Sequence, residues 1–247
     1  MAKRKHKVVV VMPAYNAEKT FQRTYDDIPK KLIDEIIVVD DDSSDSTVKI
    51  AKKLHLTVIV HPQNLGYGGN QKTCYKEALK RSGTIIVMIH PDYQYDARLT
   101  GELIRPIIEG RYSIMLGSRI RSRCESLEGG MPLYKYIGNR FLTVCENIIL
   151  GLNLSEYHTG FRAFEGSVLK SLNLNSFSDD FVFDQDILVA SVTKNYKIGE
   201  IPVPVRYFKE ASSINFLRSV RYGFNILILL VQYALFAVGL YKAKKFR

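Results

Sequence analysis

Residues 35–45 read Glu35-Ile36-Ile37-Val38-Val39-Asp40-Asp41-Asp42-Ser43-Ser44-Asp45. An apolar, β-branched run of strand length stops at three carboxylates. The run shows no polar alternation, which predicts a strand buried on both faces, as in a parallel sheet covered by helices on two sides. Three adjacent carboxylates repel one another, so they need compensation from ligand hydroxyls, a metal or helix N-termini. Asp45 is placed to cap a helix that carries Val48, Ala51 and Leu54. Asp40 and Asp41 have no such local role, and this marks them as candidate ligand-binding residues.

The same pattern extends in both directions. Lys7–Met12 is an earlier apolar strand that ends at Pro13, and a helical pattern follows over Ala17–Leu32. Thr57–Val60, Thr84–Ile89 and Ser113–Leu116 read as further strands, with a helix from Gly66 to Arg81 between the first two. Strands alternating with helices predict an α/β fold with a mostly parallel central sheet and helices on both faces. Ligands in such sheets sit beyond the carboxyl ends of the strands. The polar clusters at 13–18, 40–45, 64–70 and 90–96 all fall there. Farther along, Tyr134–Leu150 and Phe181–Thr193 read as helices, and Ile198–Tyr207, with Pro202 and Pro204, as an edge strand or extended segment.

The chain has 247 residues and a net charge of +10. Eight of its cations, Lys3, Arg4, Lys5, Lys7, Lys242, Lys244, Lys245 and Arg247, lie at the two ends, and removing them leaves +2. A nucleic-acid-binding domain spreads cations over a folded face. Basic ends beside an apolar segment suit an anionic membrane surface instead. Cys74, Cys124 and Cys145 have no metal-ligand spacing, and so sparse a set fits a reducing compartment. Val8–Met12 is too short to be the core of a signal peptide. The expected location is cytoplasmic.

His90-Pro91-Asp92 closes one of the strands. Asp92 suits a hard divalent cation, which takes oxygen ligands and keeps positions open for phosphates. His90 is a second candidate ligand, or a neutral hydrogen-bonding group. Gly66-Tyr67-Gly68-Gly69 lacks the lysine of a P-loop and the spacing of a dinucleotide fingerprint, so it reads as a turn at a helix start.

Four motifs in this order, Pro13-Ala14-Tyr15-Asn16-Ala17-Glu18, Val38–Asp45, Asn64-Leu65-Gly66-Tyr67-Gly68 and Pro91-Asp92-Tyr93-Gln94-Tyr95-Asp96, resemble family 2 glycosyltransferases. Within that family the chain is similar to the branch of dolichyl-phosphate mannose synthases and polyprenyl-phosphate glycosyltransferases, over residues 7–210. The resemblance implies a GT-A fold, an inverting reaction and a nucleotide-diphosphate sugar donor. It places Pro13, Ala14, Tyr15 and Glu18 around base and ribose, Asp40 and Asp41 in contact with them, and Gly68 and Gln94 close by. It assigns Asp92 to Mg²⁺ or Mn²⁺ on the diphosphate. The family usually has Asp-x-Asp where this chain has His90-Pro91-Asp92, and glycine where it has Asp42. Arg119 would face a phosphate, with Lys135 and Arg140 as further cations. Asp184 and then Asp186 would supply the base if the acceptor is a hydroxyl. A lipid phosphate needs no base, so the acceptor stays open between polyprenyl phosphate and a glycan or lipid hydroxyl. A nucleotidyltransferase would carry a Gly-rich basic loop after the first strand, where this chain has Pro13-Ala14-Tyr15-Asn16. A non-catalytic protein that binds a nucleotide sugar or a partner is the remaining alternative.

Phe224–Leu240 is apolar except at Asn225, Gln232, Tyr233 and Gly239. With Arg218, the positions Asn225, Gln232 and Gly239 recur every seven residues and form one stripe. Such a helix can lie in a membrane interface, span the membrane, or pack in a homo-oligomer. The expected division is a catalytic domain over 1–212 and a membrane-associated helix with a basic tail over 213–247.

Overall fold

A computed structural model of the chain describes residues 6–120, 122–204 and 216–246. The basic residues 3–5 and 247 and the expected boundary near 212 lie outside the described residues. Seven strands form one sheet: β1 (Val8–Ala14), β2 (Glu35–Asp40), β3 (Thr57–Val60), β4 (Ile85–Met88), β5 (Ile114–Ser118), β6 (Arg162–Glu165) and β7 (Ile198–Pro202), in the order β3-β2-β1-β4-β6-β5-β7. All pairings are parallel except those of β6, which runs antiparallel to both β4 and β5. The sequence-based reading has no β6, so it lacks the strand that separates β4 from β5. β7 is the edge strand expected around Pro202, and the end of that expected segment falls outside the described residues.

Alternation along the strands builds two cores. Val9, Val11, Ile37, Val39, Ile86 and Met88 face one side; Val8, Val10, Met12, Val38, Ile85 and Val87 face the other. The helices are α1 (Phe21–Asp27), α2 (Thr47–Lys53), α3 (Gly66–Lys80), α4 (Thr100–Ile108), α5 (Arg123–Glu128), α6 (Leu133–Leu150), α7 (Gly166–Ser171), α8 (Phe183–Thr193) and α9 (Phe216–Ala237). α1 is shorter than its expected span. Ile28 takes extended dihedrals before Pro29, as the residue before a proline must to avoid its ring, and only a 3-10 turn over Lys30–Leu32 follows. Asp45 caps α2 from one position upstream, accepting the Thr47 N–H on Oδ1 (2.9 Å) while Oδ2 accepts the Glu18 N–H (3.0 Å).

The register places the functional loops. Ala14 pairs with Asp40, and Val11 with Met88, so the segments after β1, β2 and β4 emerge side by side. α9 packs against α6 and α8, and its Ile226, Leu229 and Leu230 enter the core beside β1 and β4 residues. Phe246 folds back onto Tyr233 and Phe236 and is buried.

Candidate active site at the strand tips

Two cavities meet at the ends of β1, β2 and β4. The first, about 540 Å³, is walled by Pro13, Ala14, Tyr15, Asp41 and Gly66 and closed by Arg218, Arg221 and Asn225 of α9. The second, about 510 Å³ and mostly apolar, is walled by Gln94, Arg119, Lys135, His158, Gly160 and Asp184, with α6 and α9 at its rim. Tyr67, His90, Asp92, Phe181 and Tyr222 line both.

The triple carboxylate is compensated by the chain itself. Asp40 accepts from the Ser43 N–H (2.9 Å) and hydroxyl (2.6 Å). Asp41 takes the His61 ring (2.7 Å) and the Leu65 N–H (2.9 Å) on one oxygen and the Gly66 N–H (3.0 Å) on the other. The N-terminus of α3 thus does for Asp41 what a metal could have done. Asp40 is engaged by its own turn and is fully buried, whereas Asp41 lines the cavity wall. Asp42 has φ +67°, a conformation glycine adopts without cost, and this accounts for glycine in the family pattern. Glu18 is exposed and accepts the Ser46 N–H (3.0 Å), which ties two loops together away from the cavity.

Gly68, next to Tyr67 of the cavity wall, is tightly packed. Its N–H donates to Asp179 O (2.7 Å), and a Cβ there would meet Ser178 O at 2.5 Å and Phe183 Cβ at 2.8 Å. Gly68→Ala is expected to cost about 1–3 kcal/mol in urea denaturation, because backbone must move to admit the methyl group.

Tyr67 organises the junction. Its ring stacks on His90 at 5.4 Å, and its hydroxyl donates to Asp184 Oδ2 (2.8 Å) and lies 3.3 Å from His90 Nε2. With the phenolic proton given to Asp184, the tyrosine oxygen can only accept from His90, so Nε2 carries the proton and Nδ1 keeps its lone pair. Burial pushes His90 down to about 4, which leaves a neutral imidazole. Burial pushes Asp92 up to about 7; the Gln94 N–H (3.1 Å) offsets this only in part. Among the described residues no three His, Cys, Asp or Glu converge as a metal cage. One under-compensated carboxylate beside a neutral imidazole fits Mg²⁺ or Mn²⁺ held mainly by diphosphate oxygens and water.

Arg119 lines the second cavity but is already engaged by Glu156 and by His158 O (2.5 Å). Burial works against the Glu156 charge, yet Arg119 holds its carboxyl below the usual range. Lys135 lines the same cavity, whereas Arg140 donates to Ser155 O (2.5 Å) and is absent from the wall. Asp184 faces the cavity and also accepts from Gln71 Nε2 (3.2 Å). Asp186 accepts from the Ser178 N–H (2.9 Å) and Lys245 (3.3 Å) and lines neither cavity.

Sequence reasoning assigned no role to Arg162, which is fully buried under Asp184 and donates to three backbone carbonyls. Its signal was a charge set between Phe161 and Ala163-Phe164. Arg218 and Arg221 both border the first cavity.

Comparison with known proteins agrees with this architecture. A glucosyl-3-phosphoglycerate synthase from Mycobacterium tuberculosis, solved with uridine diphosphate, superposes with a TM-score of 0.71 at 20% identity, covering 93% of this chain and 80% of that one. The same enzyme has been solved with Mn²⁺, uridine diphosphate and phosphoglyceric acid. An uncharacterised protein of Methanocaldococcus jannaschii is 30% identical over 94% of each chain. A UDP-N-acetylglucosamine–dolichyl-phosphate N-acetylglucosaminyltransferase of Methanococcus voltae is 28% identical over 90% of this chain and 95% of its own. Residues 9–172 match the profile of Glycosyl transferase family 2, and the chain belongs to that family of glycosyltransferases.

Proposed function

We propose that the protein is an inverting transferase that moves a sugar from a nucleoside-diphosphate donor to the phosphate of a polyprenyl lipid, at the cytoplasmic face of a membrane. The observation that carries this is the junction at Tyr67, His90 and Asp92, which joins a polar cavity at the tips of β1 and β2 to an apolar one under α6 and α9. The polar cavity takes the nucleotide, with Pro13, Ala14 and Tyr15 against base and ribose. The donor of the Methanococcus relative makes UDP-N-acetylglucosamine the first to test. A divalent ion held by Asp92, with His90 beside it, would neutralise charge on the departing diphosphate. Arg119 and Lys135 attract the acceptor phosphate in the apolar cavity. Asp184 is engaged by Tyr67, Gln71 and Arg162, so its part is to orient the junction. A phosphate oxygen attacks without a base, which suits a site whose nearest carboxylate is already paired. Attack from the face opposite the diphosphate inverts the anomeric centre.

Thermal melts with UDP and UDP-N-acetylglucosamine, with and without Mn²⁺, test the donor side. A Mn²⁺-dependent rise of several degrees is expected, since a ligand that binds only the folded state stabilises it. Product formation on polyprenyl phosphate in detergent tests the reaction. Binding without turnover on phosphate or hydroxyl acceptors would favour a non-catalytic binder, and no nucleotide-dependent shift would end the proposal.

α6 and α9 supply the membrane contact. On α6, Ile137, Phe141 and Ile148 are exposed, and on α9, Leu217 and Phe224; of these Phe141 and Phe224 line the apolar cavity. α9 has 22 residues, enough by length to span. Spanning would strip Ile226, Leu229 and Leu230 from the core, so the helix lies along the surface. Residues 1–212 then act as the catalytic domain and 213–247 as its membrane-facing extension. Sedimentation with anionic vesicles is expected to recover most of the protein, and Phe141→Ser with Phe224→Ser to release it. A concentration-dependent dimer with no vesicle binding would assign this face to a second copy instead.

A further inference from the structure

We propose that Arg218 and Arg221 of α9 bind the diphosphate of the donor, so that the helix meeting the membrane also completes the nucleotide site. This rests on the donor reading above.

The argument begins with charge. The strand tips bring Asp41 and Asp92 to the first cavity, and the loop before α8 brings Asp180. The cations on that wall, among the described residues, are Arg218 and Arg221. A nucleoside diphosphate is itself anionic, and one divalent ion at Asp92 largely cancels the carboxylate that holds it. Binding a diphosphate among carboxylates needs further positive charge, and α9 is where the fold supplies it. Guanidinium suits the task, because its planar fork pairs with two phosphate oxygens at once.

Helix geometry explains how one element serves two surfaces. Arg218, Tyr222 and Asn225 stand at i, i+4 and i+7, with Arg221 beside them, and all four line the first cavity. Ile226, Leu229 and Leu230 face the core, while Leu217, Phe224 and Val231 face outward. Tyr222 fixes the rotation of the helix: its hydroxyl meets Gln185 Nε2 at 3.1 Å, and its ring lies edge-on to His158 at 5.8 Å. The stripe that sequence periodicity detected is therefore a wall of the nucleotide cavity at its N-terminal end. Cations there serving only lipid headgroups would not need to border a cavity that also contains Asp92.

Titration calorimetry of UDP and of uridine, in Mn²⁺, distinguishes these roles. Arg218→Met and Arg221→Met are each expected to weaken UDP about tenfold, the worth of one charge-assisted hydrogen bond, and together about a hundredfold. Uridine, which has no phosphate, is expected to bind wild type and variants within about twofold. A double variant whose UDP-to-uridine affinity ratio equals that of wild type overturns the proposal and leaves the transferase reading standing. Equal weakening of both ligands also overturns it, since that reports a collapsed cavity. A wild-type protein that binds no UDP removes the donor reading and this inference together.

Discussion

Asp92→Asn is expected to abolish sugar transfer and, in the same protein, to raise the melting temperature of the metal-free form at pH 8. Both effects come from one carboxylate. Burial raises Asp92 to about 7, against an ordinary value near 4. Below the ordinary value both folded and unfolded chains hold the proton, and ionisation costs the fold nothing. As pH rises toward 7 the unfolded chain releases the proton before the folded chain does, and stability falls. Above 7 the folded protein carries the penalty of a half-buried charge whose partners are mainly the Gln94 N–H and the more distant Arg119. Asparagine resembles the protonated form, so the variant should match wild type near pH 4 and exceed it at pH 8 by on the order of 1–3 kcal/mol. Scanning calorimetry in EDTA at the two pH values measures the difference. Turnover should fall by about 10²–10³, the usual cost of losing one electrostatic contact to a charge that develops in the transition state. A lower melting point at pH 8 would make Asp92 a structural group, and unchanged turnover would remove it from the donor site.

The sheet could be read from the sequence where strands are uninterrupted. Val8–Met12, Glu35–Val39 and Ile85–Met88 are apolar on both faces because both faces are covered, and continuity alone reveals this. β6 escaped because it has four residues, opens with a buried arginine and closes with glutamate. Its antiparallel place depends on long-range pairing that no local pattern encodes. The loops at the strand tips were legible as locations. The direction of each side chain was not, which is why Asp41 reaches the cavity while Asp40 is consumed by Ser43. Gly68 was legible as part of a turn at a helix start, but the reason for glycine there lies in Ser178 and Phe183, more than a hundred residues away. Arg218 was visible as a charge on a stripe, but what that stripe faces is a property of tertiary packing.

Arg162→Met is expected to be the most destabilising single change in the molecule, at about 3–5 kcal/mol in urea denaturation. The guanidinium is fully buried. It donates from Nε to Thr159 O (2.6 Å), from Nη1 to Asp184 O (2.8 Å) and from Nη2 to Tyr157 O (2.9 Å), and Nη2 lies 3.6 Å from Asp184 Oδ2. Methionine fills similar volume but removes three donors, leaving Tyr157 O with Gln185 Nε2 (3.2 Å), and takes the cation from a buried carboxylate. Asp184 still has Tyr67 and Gln71, so its loss of charge compensation is separable from the loss of backbone donors. Asp184→Asn in the Arg162→Met background should recover about 1–3 kcal/mol relative to additivity. Additive effects would mean that Arg162 acts on the loop alone, and a loss below about 1 kcal/mol would mean that water replaces the guanidinium. The functional consequence follows from what the three carbonyls hold. The bonds to Tyr157 O and Thr159 O tie residues 157–160 to Arg162, and Gly160 presses so closely on His90 that a Cβ there would lie 2.8 Å from the ring. Releasing that loop frees His90 and, through Tyr67, the orientation of Asp184. Arg162→Met should therefore lose turnover at temperatures where it remains folded, with nucleotide binding in the first cavity less affected, because none of residues 157–160 lines that cavity.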